Sequence, residues 1–174
     1  MSTNPLRQIV CDTGPLISLE KITGGYRFIR WLYDRLIVPP AVMDELVVGQ
    51  FETKDAYLRH FDVEGLVSVK RPTGEHSTEE VKDKTEHLDE GERQAIFLAL
   101  ELELPLLIEE EAGRAVAREL GLHISGIAGQ LLKAVRGDVI PAHSASAKLT
   151  ELRQAGRINR QIFEAVDAAI KNEV

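Results

Sequence analysis

Five acidic positions carry the chemistry available to this sequence: Asp12, Glu45, Glu92 and the adjacent Glu109 and Glu110. Asp12 stands in Val10-Cys11-Asp12-Thr13-Gly14-Pro15-Leu16-Ile17. A short apolar run followed by Gly and Pro marks a strand end, and Pro15 suits the first turn of a helix, where its missing N–H costs nothing. The Asp12 carboxylate is therefore expected at the carboxyl end of a first, central strand, the edge at which open parallel sheets bind ligands. Glu109 directly follows a second apolar run, Leu104 to Ile108, and emerges on the same edge if the two strands are parallel. Glu92 precedes Ala95, Ile96 and Ala99 by three, four and seven residues, which puts it on the buried stripe of a helix. A carboxylate pointing inward must pair, take up a proton or bind a cation. Gly91 leaves room beside it for close backbone approach. Glu45 shares a helix face with Ala41, Val42 and Val48. Acids at two strand ends and on two helices form an all-oxygen donor set of the kind that suits Mg²⁺ or Mn²⁺.

Each acid also has an ordinary structural use. Asp12 before Thr-Gly-Pro suits a helix N-cap, Glu92 complements a helix N-terminus, and Glu109 to Glu111 would cap the next helix as a solvated acidic run. Taken together, the acids favour the cation site. No two of His60, His76, His87, His123 and His143 stand at metal-ligand spacing, which argues against zinc. A phosphoacceptor pocket of the receiver type would want a second acid at the first strand end and a lysine after the last strand. The chain offers one acid, and Ser125-Gly126 where the lysine would be.

The elements that must position these residues alternate between strand and helix. Leu16 to Lys21 begins a helix that Gly24-Gly25 interrupts, and Tyr26 to Arg35 forms a second, with Phe28, Ile29, Leu32 and either Trp31 or Tyr33 as its apolar stripe. Leu36-Ile37-Val38 is a short strand stopped by Pro39-Pro40, and Pro40 opens a helix over Ala41 to Val48 that ends at Gly49. A helix from about Glu52 to Phe61 and a strand from Leu66 to Val69 follow. Residues 71–87 are polar and read as a connecting loop with a short helix at best, the longest stretch able to cover a site. A strong helix runs from Glu92 to Glu103, a buried strand to Ile108, a helix from Gly113 to Leu120, a short strand around Ile124 and a helix from Ile127 to Val135. Two C-terminal helices, Ala145 to Gln154 and Asn159 to Asn172, are separated by Gly156. This alternation predicts an α/β fold with a parallel sheet of about five short strands covered on both faces.

The whole-chain figures agree. The 174 residues suffice for one domain with a sizeable core. The single cysteine, Cys11, reads as a small buried hydrophobe and fits a reducing, cytoplasmic setting. No apolar run approaches the roughly 20 residues of a membrane span. The polar stretch from Met1 to Gln8 has no apolar core of a signal peptide. With a net charge of −7 there is no global basic footprint for nucleic acid, so positive contacts must be local. Arg114 and Arg118, one turn apart beside the acidic triplet, are placed to touch phosphates or to neutralise Glu110 and Glu111 at i+4. Arg153, Arg157 and Arg160 would share a face, but Gly156 interrupts it, and they read as solvated.

Five stretches in order resemble one family: Asp12-Thr13-Gly14-Pro15-Leu16-Ile17; Val38-Pro39-Pro40-Ala41-Val42-Met43-Asp44-Glu45-Leu46; Leu88-Asp89-Glu90-Gly91-Glu92-Arg93-Gln94-Ala95-Ile96; Leu106-Leu107-Ile108-Glu109-Glu110-Glu111-Ala112-Gly113-Arg114 and on to Gly121; and Ser125-Gly126-Ile127. The chain is similar over almost its whole length to the PIN domain, the nuclease fold of VapC-like toxins and related ribonucleases, and to its PIN-like, nucleic-acid-binding branch. The resemblance implies a single three-layer domain over residues 1–174 with the helices of about 145–172 as an extension. It implies Mg²⁺ or Mn²⁺ held by Asp12, Glu92, Glu109 and Glu110, with Asp12, Glu45, Glu92 and Glu109 as the catalytic acids, and metal-dependent hydrolysis of RNA phosphodiesters. Thr13 would hydrogen-bond a ligand. It further implies a toxin of a toxin–antitoxin pair, a small antitoxin partner and a homodimer. Two departures favour the alternative, a catalytically weakened nucleic-acid-binding or regulatory module. Glu109 and Glu110 stand where the family usually has Asp, one methylene shorter, and Asp89 stands where it commonly has Gly.

Overall fold

The computed structural model describes residues 4–174; the first three residues of the polar N-terminal stretch lie outside it. The elements are, in order, β1 (Gln8–Cys11), α1 (Thr13–Lys21), α2 (Gly25–Leu32), β2 (Arg35–Val38), α3 (Pro40–Val47), α4 (Lys54–His60), β3 (Val67–Val69), α5 (Glu79–Thr85), α6 (Glu90–Leu102), β4 (Leu106–Leu107), α7 (Glu111–Glu119), β5 (Ile124–Ser125), α8 (Ile127–Arg136), α9 (Ala142–Gln154) and α10 (Arg160–Lys171). The five strands form one sheet in the order β3-β2-β1-β4-β5, and every neighbouring pair is parallel. The chain builds outward from β1 through β2 to β3, then crosses over to β4 on the other side. That reversal places the switch point of the sheet between the carboxyl ends of β1 and β4, where such sheets bind ligands.

Strand residues alternate between two buried clusters. Ile9 and Cys11 of β1, Leu36 and Val38 of β2 and Leu107 of β4 face a large core shared with α1 to α4 and α8 to α10. Val10, Ile37, Leu106 and Ile108 face a smaller core with Ala95, Ile96, Leu98 and Ala99 of α6 and Val116 and Ala117 of α7. The two-residue period of a strand thus makes three layers, with sheet between helices. The stripe of α2 uses Phe28, Ile29 and Leu32; Tyr33, just past the helix end, is buried, and Trp31 is half exposed.

Helix starts differ from the sequence reading by up to three residues; at α6 a cap, rather than the first apolar residue, sets the start. α6 begins at Glu90, directly after the N-cap Asp89 and two residues earlier than expected, since Asp89 accepts the Glu92 amide at 2.8 Å and the Glu92 carboxylate accepts the Asp89 amide at 3.3 Å. α9 begins at Ala142, after Pro141. Residues 71–87 do not cover the sheet edge. The Thr73 and Gly74 amides donate to Glu101 near the far end of α6, at 2.9 and 2.7 Å. Glu101 lies nine residues, or about 13 Å of helix, from Glu92. Val81 and Leu88 anchor the rest of the segment by burial.

The turn into α2 leaves no room for a side chain at Gly25. Gly24 has φ +64, and a Cβ added at Gly25 would meet the Leu19 carbonyl oxygen at 2.0 Å, inside any tolerable contact. Gly25→Ala therefore forces the chain apart between α1 and α2. It should cost about 3 kcal/mol, a drop in Tm of roughly 6–12 °C, whereas Gly65→Ala, with open space at its Cβ, should leave Tm within about 2 °C. Thermal unfolding followed by circular dichroism measures both.

Candidate active site

β1 ends at Cys11, so Asp12 is delivered to the switch point with its backbone extended, at φ −81 and ψ 171. It occupies the N-cap position of α1, yet its side chain makes no cap hydrogen bond. It is only 3% exposed. Burial drives its pKa up from 3.8 to about 7; the Thr13 backbone amide opposes this, and the negative charges of Glu92, Asp89 and Glu45 add to the rise. A carboxylate kept this dry among other acids is held against the electrostatics of the folded chain.

Glu92 reaches the same place from α6. It is 6% exposed. Its Oε2 closes the cap with the Asp89 amide, and its Oε1 has no hydrogen-bond partner. Its pKa is raised, first by burial and then by the charges of Asp89, Glu110 and Glu45. No cationic side chain figures among the main influences on Asp12 or Glu92. Glu45 arrives on α3, whose N-terminal Ala41 amide donates to Gln94 of α6 at 3.1 Å, so the helices that carry Glu45 and Glu92 are tied together. The Thr13 hydroxyl donates to Glu45 Oε2 at 2.5 Å.

Two glycines permit this convergence. A Cβ at Gly91 would meet Glu45 Oε1 at 2.6 Å, and a Cβ at Gly113 would meet Glu92 Oε1 at 2.7 Å. The first lets α3 lay its acid on the start of α6; the second lets α7 pass over the unpartnered oxygen.

Glu109 and Glu110 part company. Ile108 belongs to the core on the α6 side, so the strand alternation carried one residue on sends Glu109 to the opposite face and Glu110 back to the α6 side. The contacts agree. Glu110, exposed at the N-cap of α7, adds to the negative surroundings of Glu92. Glu109 takes hydrogen bonds from the Ser18 hydroxyl at 2.7 Å and the Ile127 amide at 3.1 Å, and pairs with Arg157 at 3.4 Å. The structure thus brings Asp12, Glu45, Glu92 and Glu110 to one side of the switch point and Glu109 to the other.

Thr13 meets Glu45 rather than solvent. Arg114 donates to the Ile108 carbonyl at 2.8 Å, within its reach at the strand end, instead of pairing with Glu110 at i+4, and Arg118 neutralises Glu111, seven residues before it, at 3.4 Å. Both arginines line an open groove of about 600 Å³ that starts at Glu109 and includes Arg157 and Asn159. Arg157 is the residue that sequence reasoning missed as part of the site; Asp89, expected as one more charge there, is in addition the cap of α6. The Asp-x-x-Glu spacing of a capping box was a legible signal for Asp89; nothing local marked Arg157.

Among the described residues, no three His, Cys, Asp or Glu side chains are already spaced as a metal-ligand set. The donor chemistry nevertheless fits a hard divalent cation. All the donors are oxygens, and one buried carboxylate oxygen is unpartnered beneath Gly113 of α7, where a side chain would displace it.

The raised pKa of Asp12 has a stability consequence with a definite sign. The folded chain favours protonated Asp12, so between pH 4 and 7 it holds more protons than the unfolded chain, and stability falls as pH rises through that window. In chelator, wild type should lose on the order of 4 kcal/mol from this group between pH 4 and 8. Asp12→Asn should flatten that part of the curve and be the more stable protein at pH 8. Urea denaturation at several pH values reads the difference.

A family-level sequence comparison matches residues 8–171 to the family described as DUF3368: PIN domain. No curated protein matches the chain. PIN domains are generally nucleases that bind nucleic acid and typically use divalent metal ions. No helix among the described residues is long and apolar enough to cross a membrane. With 164 of its 174 residues spanned by that match, from 8 to 171, and with a parallel α/β sheet carrying acids at its switch point, this chain belongs to the PIN-domain family.

Proposed function

We propose that this protein is a divalent-cation-dependent ribonuclease whose reaction centre is the acidic side of the switch point. The observation that carries the reading is the buried, unpartnered Oε1 of Glu92 beside a buried Asp12 whose charging is opposed by burial and by Glu92, Asp89 and Glu45. Without a cation such a pair must hold protons; a bound divalent cation offsets the burial with both carboxylates charged.

Asp12, Glu92 and Glu110 would hold Mg²⁺ or Mn²⁺, with Glu45 at the rim. The cation would supply Lewis acidity, easing deprotonation of water and offsetting the charge that builds on the phosphate during hydrolysis. The chain's own residues do the rest. β1 and the first turn of α1 fix Asp12. Thr13 holds Glu45 by its hydroxyl. Asp89 caps α6, which fixes the backbone of Glu92 and occupies one of its oxygens while leaving the other free. Arg114 and Arg118, on the groove that leads away from Glu109, are placed to take backbone phosphates, a contact that positions a strand without reading its sequence. A toxin role with a small antitoxin partner, and a homodimer, are part of this proposal and rest on the family resemblance alone.

A second reading, nucleic-acid binding without cleavage, is favoured by one observation: the described acids are not already disposed as a three-ligand set. Cleavage of a mixed-sequence RNA separates the two, assayed beside calorimetric titration with Mn²⁺. The nuclease reading expects Mn²⁺ binding, cleavage that chelator abolishes, and loss of both by at least about 100-fold in Asp12→Ala. Binding of Mn²⁺ and RNA without cleavage selects the second reading, and absence of Mn²⁺ binding contradicts the acid site itself.

A further inference from the structure

Glu109 and its surroundings differ in kind from the other acids at the sheet edge. Both of its oxygens are engaged: Oε1 by the Ile127 amide at the start of α8, Oε2 by Ser18 and Arg157. Ser18 is fully buried and the Glu109 side chain is 13% exposed. Arg157 comes from the turn between α9 and α10, just after Gly156 at φ +70. Its Nε donates to the Ser18 hydroxyl at 3.0 Å and its Nη2 to the Gly14 carbonyl at 3.1 Å. The hydroxyl accepts from the arginine and donates to the glutamate, so donors and acceptors match around the ring. Two glycines border it: a Cβ at Gly14 would lie 3.5 Å from Arg157 Nη2, and one at Gly126 would lie 3.3 Å from Glu109 Cγ.

We propose that Glu109 is not a cation ligand but the anchor of a latch, closed by Arg157 and Ser18, that fixes the first turn of α1 beside Asp12. The latch joins four parts of the chain: the end of β4, the first turns of α1, the start of α8 and the C-terminal helix pair. Its bond to Gly14 falls two residues after Asp12 and one after Thr13, the residue that holds Glu45. Arg157 and Glu109 are therefore positioning residues for the acids, and the C-terminal helices are part of the site. The charge of Glu109 is matched locally by Arg157, and Glu109 is absent from the main influences on Asp12 and Glu92.

This inference rests on the cation-site reading of the other acids, and its test distinguishes the two. Wild type, Glu92→Gln, Glu110→Gln, Glu109→Gln, Arg157→Met and the double variant Glu109→Gln/Arg157→Met are compared by Mn²⁺ calorimetry, RNA-cleavage kinetics and thermal unfolding. Glu109→Gln should keep the Mn²⁺ Kd within about 3-fold, while Glu92→Gln and Glu110→Gln weaken it at least about 10-fold. Arg157→Met should lower kcat at least about 10-fold with KM and Mn²⁺ affinity within about 3-fold, because α1 loses its register and no substrate contact is removed. Arg157→Met leaves the largely buried Glu109 without its cation, so it should lower Tm by several degrees, and adding Glu109→Gln should return at least about half of the loss. If Glu109→Gln weakens Mn²⁺ as much as Glu92→Gln does, the proposal is overturned. Additive Tm losses in the double variant overturn it as well, since they deny the pair. If wild type fails to bind Mn²⁺, the cation-site reading falls, and a coupled Tm cycle would then leave a latch with no acids to position, overturning its positioning role.

Discussion

Burial of neighbouring carboxyl groups, each opposing the charging of the other, is the constraint on which this structure turns. The order of strand addition reverses between β1 and β4, and the fold fills that crevice with carboxylates rather than with apolar side chains. Asp12 is nearly sealed, Glu92 keeps one oxygen without a partner, and Glu45 and Glu110 stand near enough to raise the energy of charging them. Such an arrangement costs stability in the isolated chain, and folds retain such a cost at functional sites. The rest of the architecture serves it. α6 brings Glu92, α3 brings Glu45, Gln94 ties the two helices together, and Gly91 and Gly113 remove the side chains that would keep them apart.

On the other face of the same strands the problem is solved in the opposite way. Glu109 follows Asp12 in type of position, at the end of a parallel strand, but meets an arginine, a hydroxyl and a helix-start amide. One residue of register separates an acid that is fully partnered from one that joins the open cluster. Strand alternation, a property of the backbone alone, thus sorts two adjacent glutamates into two roles.

Much of this was legible in the sequence, and what was not has a physical reason. Gly-Pro after an apolar run marked the end of β1 and so placed Asp12. The 3.6-residue period placed Glu92 on the inner face of α6, where Ala95, Ile96 and Ala99 are fully buried. The order of strand and helix gave a parallel sheet, because right-handed crossovers leave few other arrangements. Which of Glu109 and Glu110 joins Asp12 depends on whether the strand geometry runs one residue past β4, and a two-residue strand carries too little pattern to say. Arg157 was beyond reach for a different reason. Its partners, Gly14, Ser18 and Glu109, lie 143, 139 and 48 residues away in the chain, and nothing in a local pattern reports a contact closed by packing of the C-terminal helices against α1 and α8.

The most direct test of the account is a crystal structure of the Mn²⁺-soaked protein with the anomalous signal of manganese. The account predicts a peak coordinated by Asp12 and by the free oxygen of Glu92, on the Glu110 side of β4, with the Glu109–Arg157 pair intact. A peak bound by Glu109, or an empty acid cluster at millimolar Mn²⁺, would contradict it.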